Sequence, residues 1–464
     1  MEETDELKAE IDALKTEIEF LKTGRYGLIW EWEENDTSVI TTHEIKFASE
    51  CEINPKYAVT HQLIKGDNLA VMEALEPGYA ETIDCIYIDP PYNTGKVNEF
   101  AYRDDYADKE TQYRHSSWLS FMKPRLEKAK TFLKEEGIIF ISIDDNQQAH
   151  LKLLMDAIFG ERNFIATLAV SNLPSGRSLN RFFAQNHEYV LVYAKNVKKT
   201  KYKPSLPDKN LNTKFPHTDK DGAYSTTGLM NSHQQFGPHN RPNLHYPLYV
   251  GTSDNERNQV FVEQNIDGNR VEVWPAFSDG RPGVWTWGKP KAEKEAHLLE
   301  GRKQKDNTWR IMRKKYVQPQ QRTKIKTFLD HYQMGQTTQA GKALKAILGE
   351  NSFFGAKPVD YIKTIVNSFD NKNIKVLDFF AGSGTTGQAV AELNFEDGGK
   401  RECILITDQG KAQYDTEGNK SNNEIDIAEE IAYVRMKRVL TGLKWADGKN
   451  HPDLKQGLKF GKIV

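Results

Sequence analysis

Residues 83–93 read Ile-Asp-Cys-Ile-Tyr-Ile-Asp-Pro-Pro-Tyr-Asn, and this stretch decides the class of fold. Its first six residues are mostly apolar, which predicts a strand buried on both faces of a parallel sheet. The strand ends abruptly at Asp89-Pro90-Pro91-Tyr92, because consecutive prolines cannot continue a central strand. Ligands bind outside the carboxyl ends of strands in such sheets, so we predict that these four residues belong to a functional site.

Strand and helix patterns alternate on both sides of this stretch. Short apolar runs predict strands, and apolar residues at helical spacing predict the helices between them. This alternation is typical of a doubly wound α/β sheet, and residues 410–424 are predicted to be a polar surface loop. The predicted strands are residues 62–65, 83–88, 138–143, 374–377 and 403–407, and the predicted helices are residues 68–75, 118–134, 151–159, 359–366 and 425–440.

A second junction between strand and helix lies far along the chain. It reads Asp378-Phe379-Phe380-Ala381-Gly382-Ser383-Gly384 and starts 289 residues after Asp89. The glycines allow a tight turn and a close approach of the backbone to a ligand. The turn is not a Walker A loop, because no Gly-Lys-Ser/Thr follows, and it lacks the complete Gly-x-Gly-x-x-Gly of dinucleotide folds.

The charge of the chain is distributed unevenly around a net value of −2. Residues 1–164 carry 18 Lys and Arg against 33 Asp and Glu, a net charge of −15. Residues 165–350 carry 29 against 16, a net charge of +13, and residues 351–464 carry 16 of each. The basic charge of residues 165–350 has two interpretations: a surface that binds a polyanion, or a basic loop region exposed to solvent. Charge alone does not favour one over the other.

Composition and apolar periodicity divide the chain into four segments. Residues 1–24 predict an amphipathic helix, residues 25–164 the first half of the α/β sheet, and residues 351–464 the second half. Residues 165–350 are rich in Asn, Gln, Pro, Gly and Lys and include four tryptophans at 274, 285, 287 and 309. We interpret them as an irregular domain inserted between the two halves.

The N-terminal helix has an apolar stripe at heptad spacing. The stripe predicts a contact with a second copy of the chain or packing of the helix on its own domain, and we favour the homodimer. Its members are Leu7, Ile11, Leu14, Ile18 and Leu21.

Several classes of protein are disfavoured by composition. No apolar run reaches 18 residues, which argues against a membrane span, and the acidic N-terminus is unlike a secretory or transit peptide. The three cysteines are widely spaced, so we expect neither a disulfide framework nor a zinc site, and a reducing cytoplasm fits. The twelve histidines are scattered without a metal-binding motif, and we predict no metal.

Asp89-Pro90-Pro91-Tyr92 suits the recognition of an amino group. The prolines leave carbonyls without adjacent N–H donors, so the Asp89 carboxylate and a proline carbonyl form a pair of acceptors that matches an –NH2 group. Tyr92 offers a flat face on which a base can stack. The structural alternative is a Pro-rich strand exit in which the aspartate caps the turn and the tyrosine fills a gap.

Together, Asp-Pro-Pro-Tyr and Phe-x-Gly-x-Gly resemble the DNA methyltransferases that methylate amino groups with S-adenosylmethionine. Their order, with the basic insert between them, resembles the β class of adenine-N6 methyltransferases. The segments 86–95, 115–122 and 139–146 further resemble the modification subunits of type III restriction-modification systems. The resemblance implies a permuted doubly wound, Rossmann-like methyltransferase sheet with an inserted target-recognition domain.

The resemblance also implies which residues act. Asp89, Pro90, Pro91 and Tyr92 would be catalytic. The acidic Asp67 would accept from the adenine amino group of the cofactor, and Asp408 would bind the ribose, although for both residues turn capping is the alternative. The implied cofactor-binding residues are Asp67, Asn68, Asp89, Phe353, Lys357, Pro358, Asp378, Phe379, Phe380, Ala381, Gly382, Ser383, Gly384, Thr385, Thr386 and Asp408.

The implied function is transfer of a methyl group from S-adenosylmethionine to adenine N6 in double-stranded DNA after base flipping. The enzyme would serve restriction-modification, with a restriction subunit as a further partner, or act alone. Methylation of cytosine N4 and a non-catalytic DNA-binding module of the same fold are the alternatives. Asp89 in front of Pro-Pro-Tyr, where a serine would stand for cytosine, favours adenine.

Overall fold

The computed structural model describes Lys15 and residues 43–94, 114–171, 182–207, 214–254, 258–264, 270–317, 322–330, 337–349, 355–407, 411–414 and 420–464. The chain divides into two compact units. The first combines Met1–Leu206 with Lys324–Val464, and the second is Pro207–Thr323. The stripe from Leu7 to Leu21 lies outside the described residues.

The helices are α1 (Asn68–Tyr79), α2 (Arg114–Phe132), α3 (Gln148–Phe159), α4 (Lys289–Lys294), α5 (Thr337–Leu348), α6 (Val359–Val366), α7 (Thr385–Asp397) and α8 (Val434–Thr441). A π-helix, Ile427–Tyr433, leads directly into α8. The strands are β1 (Ile45–Phe47), β2 (Thr60–Lys65), β3 (Ile83–Ile88), β4 (Leu133–Ile143), β5 (Phe164–Ser171), β6 (His187–Ala194), β7 (Ser205–Pro207), β8 (His217–Asp219), β9 (Gly222–Gly228), β10 (Leu248–Gly251), β11 (Val260–Phe261), β12 (Arg270–Val273), β13 (Leu299–Lys303), β14 (Trp309–Tyr316), β15 (Arg322–Lys324), β16 (Phe328–Leu329), β17 (Lys375–Asp378), β18 (Glu402–Thr407), β19 (Lys411–Tyr414), β20 (Lys420–Asp426) and β21 (Gly457–Ile463).

The first unit is built on a ten-stranded sheet in the order β1-β21-β2-β18-β17-β3-β4-β6-β5-β16. From β21 to β4 all neighbours are parallel. Strand β6 is antiparallel to β4 and to β5. The predicted α/β sheet is therefore confirmed, and it is permuted, because the strand before the glycine turn lies beside a strand from the other end of the chain.

The connections reverse direction between β17 and β3. The chain leaves β3 through α2 to β4, on one side, and leaves β17 through α7 to β18, on the other side. Such a switch point opens a crevice at the carboxyl ends of the two strands. Val376 pairs with Cys85 and Leu377 with Ile86, so both strands end at the same level. The two sequence motifs therefore meet at this crevice.

Helices cover both faces of the sheet. Apolar side chains of α1, α2 and α3 pack on one face, among them Met72, Trp118 and Leu154. Side chains of α6, α7 and α8 pack on the other, among them Ile362 and Val390. A sheet that is buried on both faces explains why its central strands are almost continuously apolar.

The second unit contains two antiparallel sheets, β11-β10-β12 and β13-β14-β9-β8. It is narrower than the predicted insert of residues 165–350, because β5 and β6 extend the main sheet and α5 packs in the first unit. Two of the four tryptophans, Trp285 and Trp287, are buried in its core. Only Trp274, 46% exposed, is a large exposed hydrophobic side chain among these four.

Residues near the C-terminus differ from the sequence prediction. The predicted loop 410–424 contains β19 and most of β20, an antiparallel pair that continues to Asp426. These strands are largely polar and lack apolar alternation, so periodicity could not reveal them. Among the described residues, no helix is long and apolar enough to cross a membrane.

Candidate functional site

Four side chains from three parts of the first unit meet at the carboxyl edge of β3. Asp89 and Tyr92 follow β3, Glu188 is the second residue of β6, and Lys357 precedes α6. The Tyr92 hydroxyl donates to Asp89 Oδ1 over 2.7 Å. Lys357 Nζ lies 2.7 Å from the Tyr92 oxygen, 2.8 Å from Glu188 Oε2 and 3.2 Å from Asp89 Oδ1. We call these four residues the charged cluster.

Burial and charge fix the protonation of the charged cluster. Burial alone would lower the pKa of the Lys357 ammonium, but the carboxylates of Asp89 and Glu188 outweigh it and raise that pKa. Burial, followed by the Asp89 and Glu188 charges, holds the pKa of the Tyr92 phenol well above its usual value. At neutral pH the cluster therefore contains an ammonium and an un-ionised phenol.

Glu188 is the most deeply buried carboxylate of the cluster, with 6% of its surface exposed. Burial raises its pKa, and the ion pair with Lys357 opposes that rise. A buried carboxylate without a partner would be costly, so Lys357 and Glu188 stabilise one another in place. Their shared position beside Tyr92 and Asp89 makes them a rigid support for both.

A chain of buried hydroxyl groups connects the elements that carry the cluster. Ser142 Oγ of β4 lies 2.9 Å from the Tyr87 hydroxyl of β3 and 2.9 Å from the Tyr361 hydroxyl of α6. The hydrogen bonds tie the strand before Asp89 to the helix after Lys357. Hydrogen-bonded networks of this kind specify one arrangement of a core.

The two prolines have different carbonyl environments. Trp118 Nε1 donates to the Pro91 carbonyl over 2.7 Å, so that acceptor is engaged within the fold. In the part of the chain that the structure describes, no hydrogen bond to the Pro90 carbonyl occurs. Asn93 follows with a φ of 57°, a left-handed conformation that asparagine tolerates.

The glycine turn after β17 is held by its own side chains. Asp378 is 2% exposed, accepts from the Phe380 amide over 3.0 Å, and also accepts from the Thr386 hydroxyl. Gly382 and Gly384 have φ values of 49° and 80°, which disfavour other residues. Burial raises the pKa of Asp378 to about 7, against the lowering effect of these hydrogen bonds.

A buried arginine supports the same turn from α8. Arg435 Nη1 lies 2.8 Å from Ser383 Oγ and 2.8 Å from Thr385 Oγ1, and Nε donates to Gln388 over 2.8 Å. Burial lowers its pKa to about 10, so it stays charged at neutral pH. The predicted residues 378–386 are therefore brought together as one braced loop.

Asp67 and Asn68 lie at the carboxyl end of β2. Asp67 Oδ1 caps α1 by accepting from the amides of residues 69 and 70, and Oδ2 accepts from Arg125 over 2.8 Å. Asn68 donates to the Phe379 carbonyl over 2.9 Å, which connects this turn to the glycine turn. Turn capping by Asp67 is thus observed, and its carboxylate, 51% exposed, remains accessible to a ligand.

Three supporting residues were missed by sequence reasoning. Glu188, Arg125 and Arg435 are charged residues at buried positions of an otherwise apolar strand or helix face. A charge on an apolar face was the available signal, because such a group is buried only with a partner. Two predicted residues, Phe353 and Asp408, lie outside the described residues. Among those described, no group of three or more His, Cys, Asp or Glu could hold a metal ion.

Comparison with known proteins gives a consistent result. A family model for N6_N4_Mtase, described as DNA methylase, matches residues 83–414. The Type II methyltransferase M.KpnI of Klebsiella pneumoniae is 35% identical, over 80% of this chain and 86% of the relative. The EcoPI Mod subunit of a type III restriction-modification enzyme, from Escherichia phage P1, is 35% identical over 81% of this chain and 61% of the relative. The StyLTI Mod subunit of Salmonella typhimurium is 31% identical over 85% of this chain and 59% of the relative. The chain therefore spans about three fifths of the length of either Mod subunit.

Proposed function

Since the chain belongs to the N6_N4_Mtase family of DNA methylases, it is a DNA methyltransferase that uses S-adenosylmethionine, and we propose that it methylates the N6 amino group of adenine. The observation that carries the proposal is the charged cluster. It holds the Asp89 carboxylate, in the residue before Pro90, at the carboxyl end of β3, where this strand neighbours the strand that leads into the glycine turn.

The amino group of adenine is a weak nucleophile, because its lone pair is delocalised into the ring. Two acceptors that take its two N–H hydrogens favour a pyramidal nitrogen, on which the lone pair is localised. In our proposal the Asp89 carboxylate and the Pro90 carbonyl are these acceptors. Tyr92 stacks on an adenine that has been flipped from the duplex, which holds the nitrogen in its line of attack.

Lys357 and Glu188 act through the two residues they contact. Lys357 lies within hydrogen-bonding distance of the Tyr92 oxygen and pairs with Glu188. Their ion pair keeps the ring of Tyr92 and the carboxylate of Asp89 from changing rotamer. They are therefore positioning residues, and this role differs from the contact with the cofactor that the sequence predicts for Lys357.

The residues at the crevice fit the proposed cofactor. Gly382 and Gly384 carry no side chain that would keep a ligand from the backbone of the turn, and the accessible Asp67 carboxylate is an acceptor for the amino group of an adenosine. When bound, S-adenosylmethionine supplies an electrophilic methyl group on its sulfonium. Residues 379–384, Asp67 and Asn68 would hold it, while Asp378 and Arg435 keep the turn in shape.

Duplex DNA would contact the basic middle of the sequence. Residues 165–350 carry a net charge of +13, so affinity should fall steeply with salt, with a log–log slope of roughly −0.9 per phosphate contact. The slope is measured by titrating labelled duplex at several salt concentrations. A flat salt dependence would count against a role of this region in binding DNA.

Two protein partners complete the proposal. The stripe from Leu7 to Leu21 would form a homodimer contact, and two relatives are subunits of type III restriction-modification enzymes, which makes a restriction subunit a second partner. Deletion of residues 1–23 should shift the mass measured by light scattering towards the monomer. An intact chain that is already monomeric would contradict the dimer.

The decisive experiment identifies the product. The chain is expressed in a host without DNA methylation of its own, and the genomic DNA is sequenced with modification detection and digested to nucleosides. We expect N6-methyladenine at one short sequence, which also gives the recognition site. If the product is N4-methylcytosine, the enzyme methylates cytosine and the proposal for adenine is wrong. If a folded chain leaves the DNA unmodified, a non-catalytic DNA-binding module is favoured.

A further inference from the structure

Two consecutive phenylalanines are the most exposed large hydrophobic side chains of the described residues. Phe182 is 79% exposed and Phe183 is 85% exposed. So much exposed aromatic surface on two consecutive residues is typical of a binding site. The other exposed hydrophobic side chains are single and less exposed, such as Leu443 at 65% and Phe395 at 53%.

The connection from β5 to β6 carries the pair at the edge of the sheet that holds the charged cluster. Strand β6 starts at this edge, because it runs antiparallel to β4, and Ser171 at the end of β5 pairs with His187. Gln185 donates to Asp145 over 2.7 Å, which anchors the connection just beyond β4. Glu188, five residues after Phe183, lies at the cluster, so the chain between them spans at most about 18 Å.

The surrounding sequence favours a nucleic acid as the partner. Residues 171–187 include Arg177 and Arg181 but no Asp or Glu. Aromatic residues with basic residues close by in the sequence are the combination that binds stacked bases next to phosphates. A protein partner would need an extended apolar surface, whereas among the described residues no other exposed large hydrophobic side chain adjoins Phe182 and Phe183 in the sequence.

We propose that Phe183, assisted by Phe182, inserts into the DNA base stack and occupies the space left by the flipped adenine. The inference rests on the proposed function, because it needs a base to leave the duplex. Extrusion breaks stacking and pairing, and an apolar ring that enters the gap restores part of the stacking. Phe183 would thus stabilise the extruded state without touching the reacting nitrogen.

The test compares two duplexes that carry the site mapped by sequencing. In the first the target adenine is paired with thymine, and in the second an abasic site faces it, so that little pairing resists extrusion. Phe183→Ala should reduce kcat/KM on the paired duplex by about tenfold or more. On the abasic duplex it should stay within about twofold of the wild type, because the ring is no longer needed.

A matched control is available in the same unit. Phe395→Ala removes another exposed phenylalanine, at the end of α7 on the opposite edge of the sheet, and should leave both rates unchanged. Fluorescence of 2-aminopurine in place of the target adenine should rise less with Phe183→Ala than with the wild type on the paired duplex. Melting temperatures of all three proteins should agree, since exposed side chains contribute little to stability.

Other results would overturn the inference. Equal losses on both duplexes would mean that Phe183 supports the site rather than the opened duplex, and an unchanged rate would mean that it has no role in extrusion. A lower mass in light scattering, with normal methylation, would assign the pair to contact with a second copy. If the wild type makes no N6-methyladenine, the proposed function fails instead, which the product assay reports separately.

Discussion

Two aspartates end neighbouring parallel strands, and the fold treats them in opposite ways. Asp89 follows β3 and keeps 25% of its side chain exposed, beside the Tyr92 hydroxyl and the Lys357 ammonium. Asp378 ends β17 with 2% exposure and is bonded to Phe380 and Thr386 of its own turn. These partners support our proposal that Asp89 acts in the reaction, and they show that Asp378 holds the turn that follows it.

Replacement of Asp89 should separate the roles of the two aspartates most clearly. Asp89→Ala should reduce methyl transfer by on the order of a thousandfold, about 4 kcal/mol of barrier, because the amino nitrogen loses its charged acceptor. Its melting temperature should stay near that of the wild type. Transfer of labelled methyl groups to duplex DNA measures the first quantity and calorimetry the second.

Asp378→Ala is the matched control for Asp89→Ala. It should lower the melting temperature, because the Phe380 amide and the Thr386 hydroxyl lose a buried acceptor, at about 1–3 kcal/mol for each unsatisfied group. Near-normal turnover in Asp89→Ala would remove that residue from the reaction and contradict the proposed division of roles.

The glycine turn should respond through the cofactor. Gly384 has a φ of 80°, and a Cβ built there finds its nearest neighbour 3.6 Å away at Ala432, so conformation rather than space limits substitution. We expect Gly384→Val to abolish measurable binding of S-adenosylmethionine in calorimetry while DNA still binds. The same result is expected for Gly382→Val, whose φ is 49°. If both variants bind S-adenosylmethionine with unchanged affinity, the glycine turn does not bind the cofactor.

The sequence predicted more of the central sheet than of its surroundings. Apolar runs such as residues 83–88 identify buried parallel strands directly, and the helix 359–366 was predicted with its observed bounds. Strands β5 and β6 were assigned to the insert, because their pairing with β4 depends on contacts between distant residues. Periodicity reports burial along one segment and not which segments are neighbours.

For the candidate site too, residues in short motifs were predictable, whereas contacts between distant residues were not. Asp89, Tyr92 and the glycine turn were predicted because short motifs fix their local backbone, and the structure brings them to one edge. Lys357 was named for its motif, but its contacts with Tyr92 and Glu188 were not foreseen. Glu188 lies 96 residues from Tyr92 in the chain, so only the assembled sheet reveals their contact.

The two parts of Tyr92 can be separated by substitution. Tyr92→Ala removes the ring and should cost about 1–3 kcal/mol of stacking on the flipped base. Tyr92→Phe keeps the ring but removes the hydroxyl that bonds Asp89 and accepts from Lys357, which should cost about 1 kcal/mol, a severalfold loss of kcat/KM. Steady-state kinetics on the mapped site measure both, and equal losses would mean that stacking contributes nothing.

The buried carboxyl of Asp378 should also make the stability of the protein depend on pH, by a smaller amount than the substitutions above change activity. Burial raises the pKa of Asp378 in the folded state to about 7, from an ordinary value near 4. Between pH 4 and pH 7 the folded protein therefore keeps a proton on this carboxyl, whereas the unfolded chain has released it. The stability that this carboxyl contributes is therefore fully present below about pH 4 and is lost as the pH rises towards 7.

Asp378→Asn carries no ionisable group at this position and accepts from the Phe380 amide in the same way. The free energy of unfolding of this variant, relative to that of the wild type, should therefore increase from pH 4 to pH 7. Urea unfolding at several pH values gives the difference, in which the other carboxylates cancel. A difference that does not change with pH would mean that Asp378 is ionised in the folded protein, and the contrast with Asp89 would then rest on geometry alone.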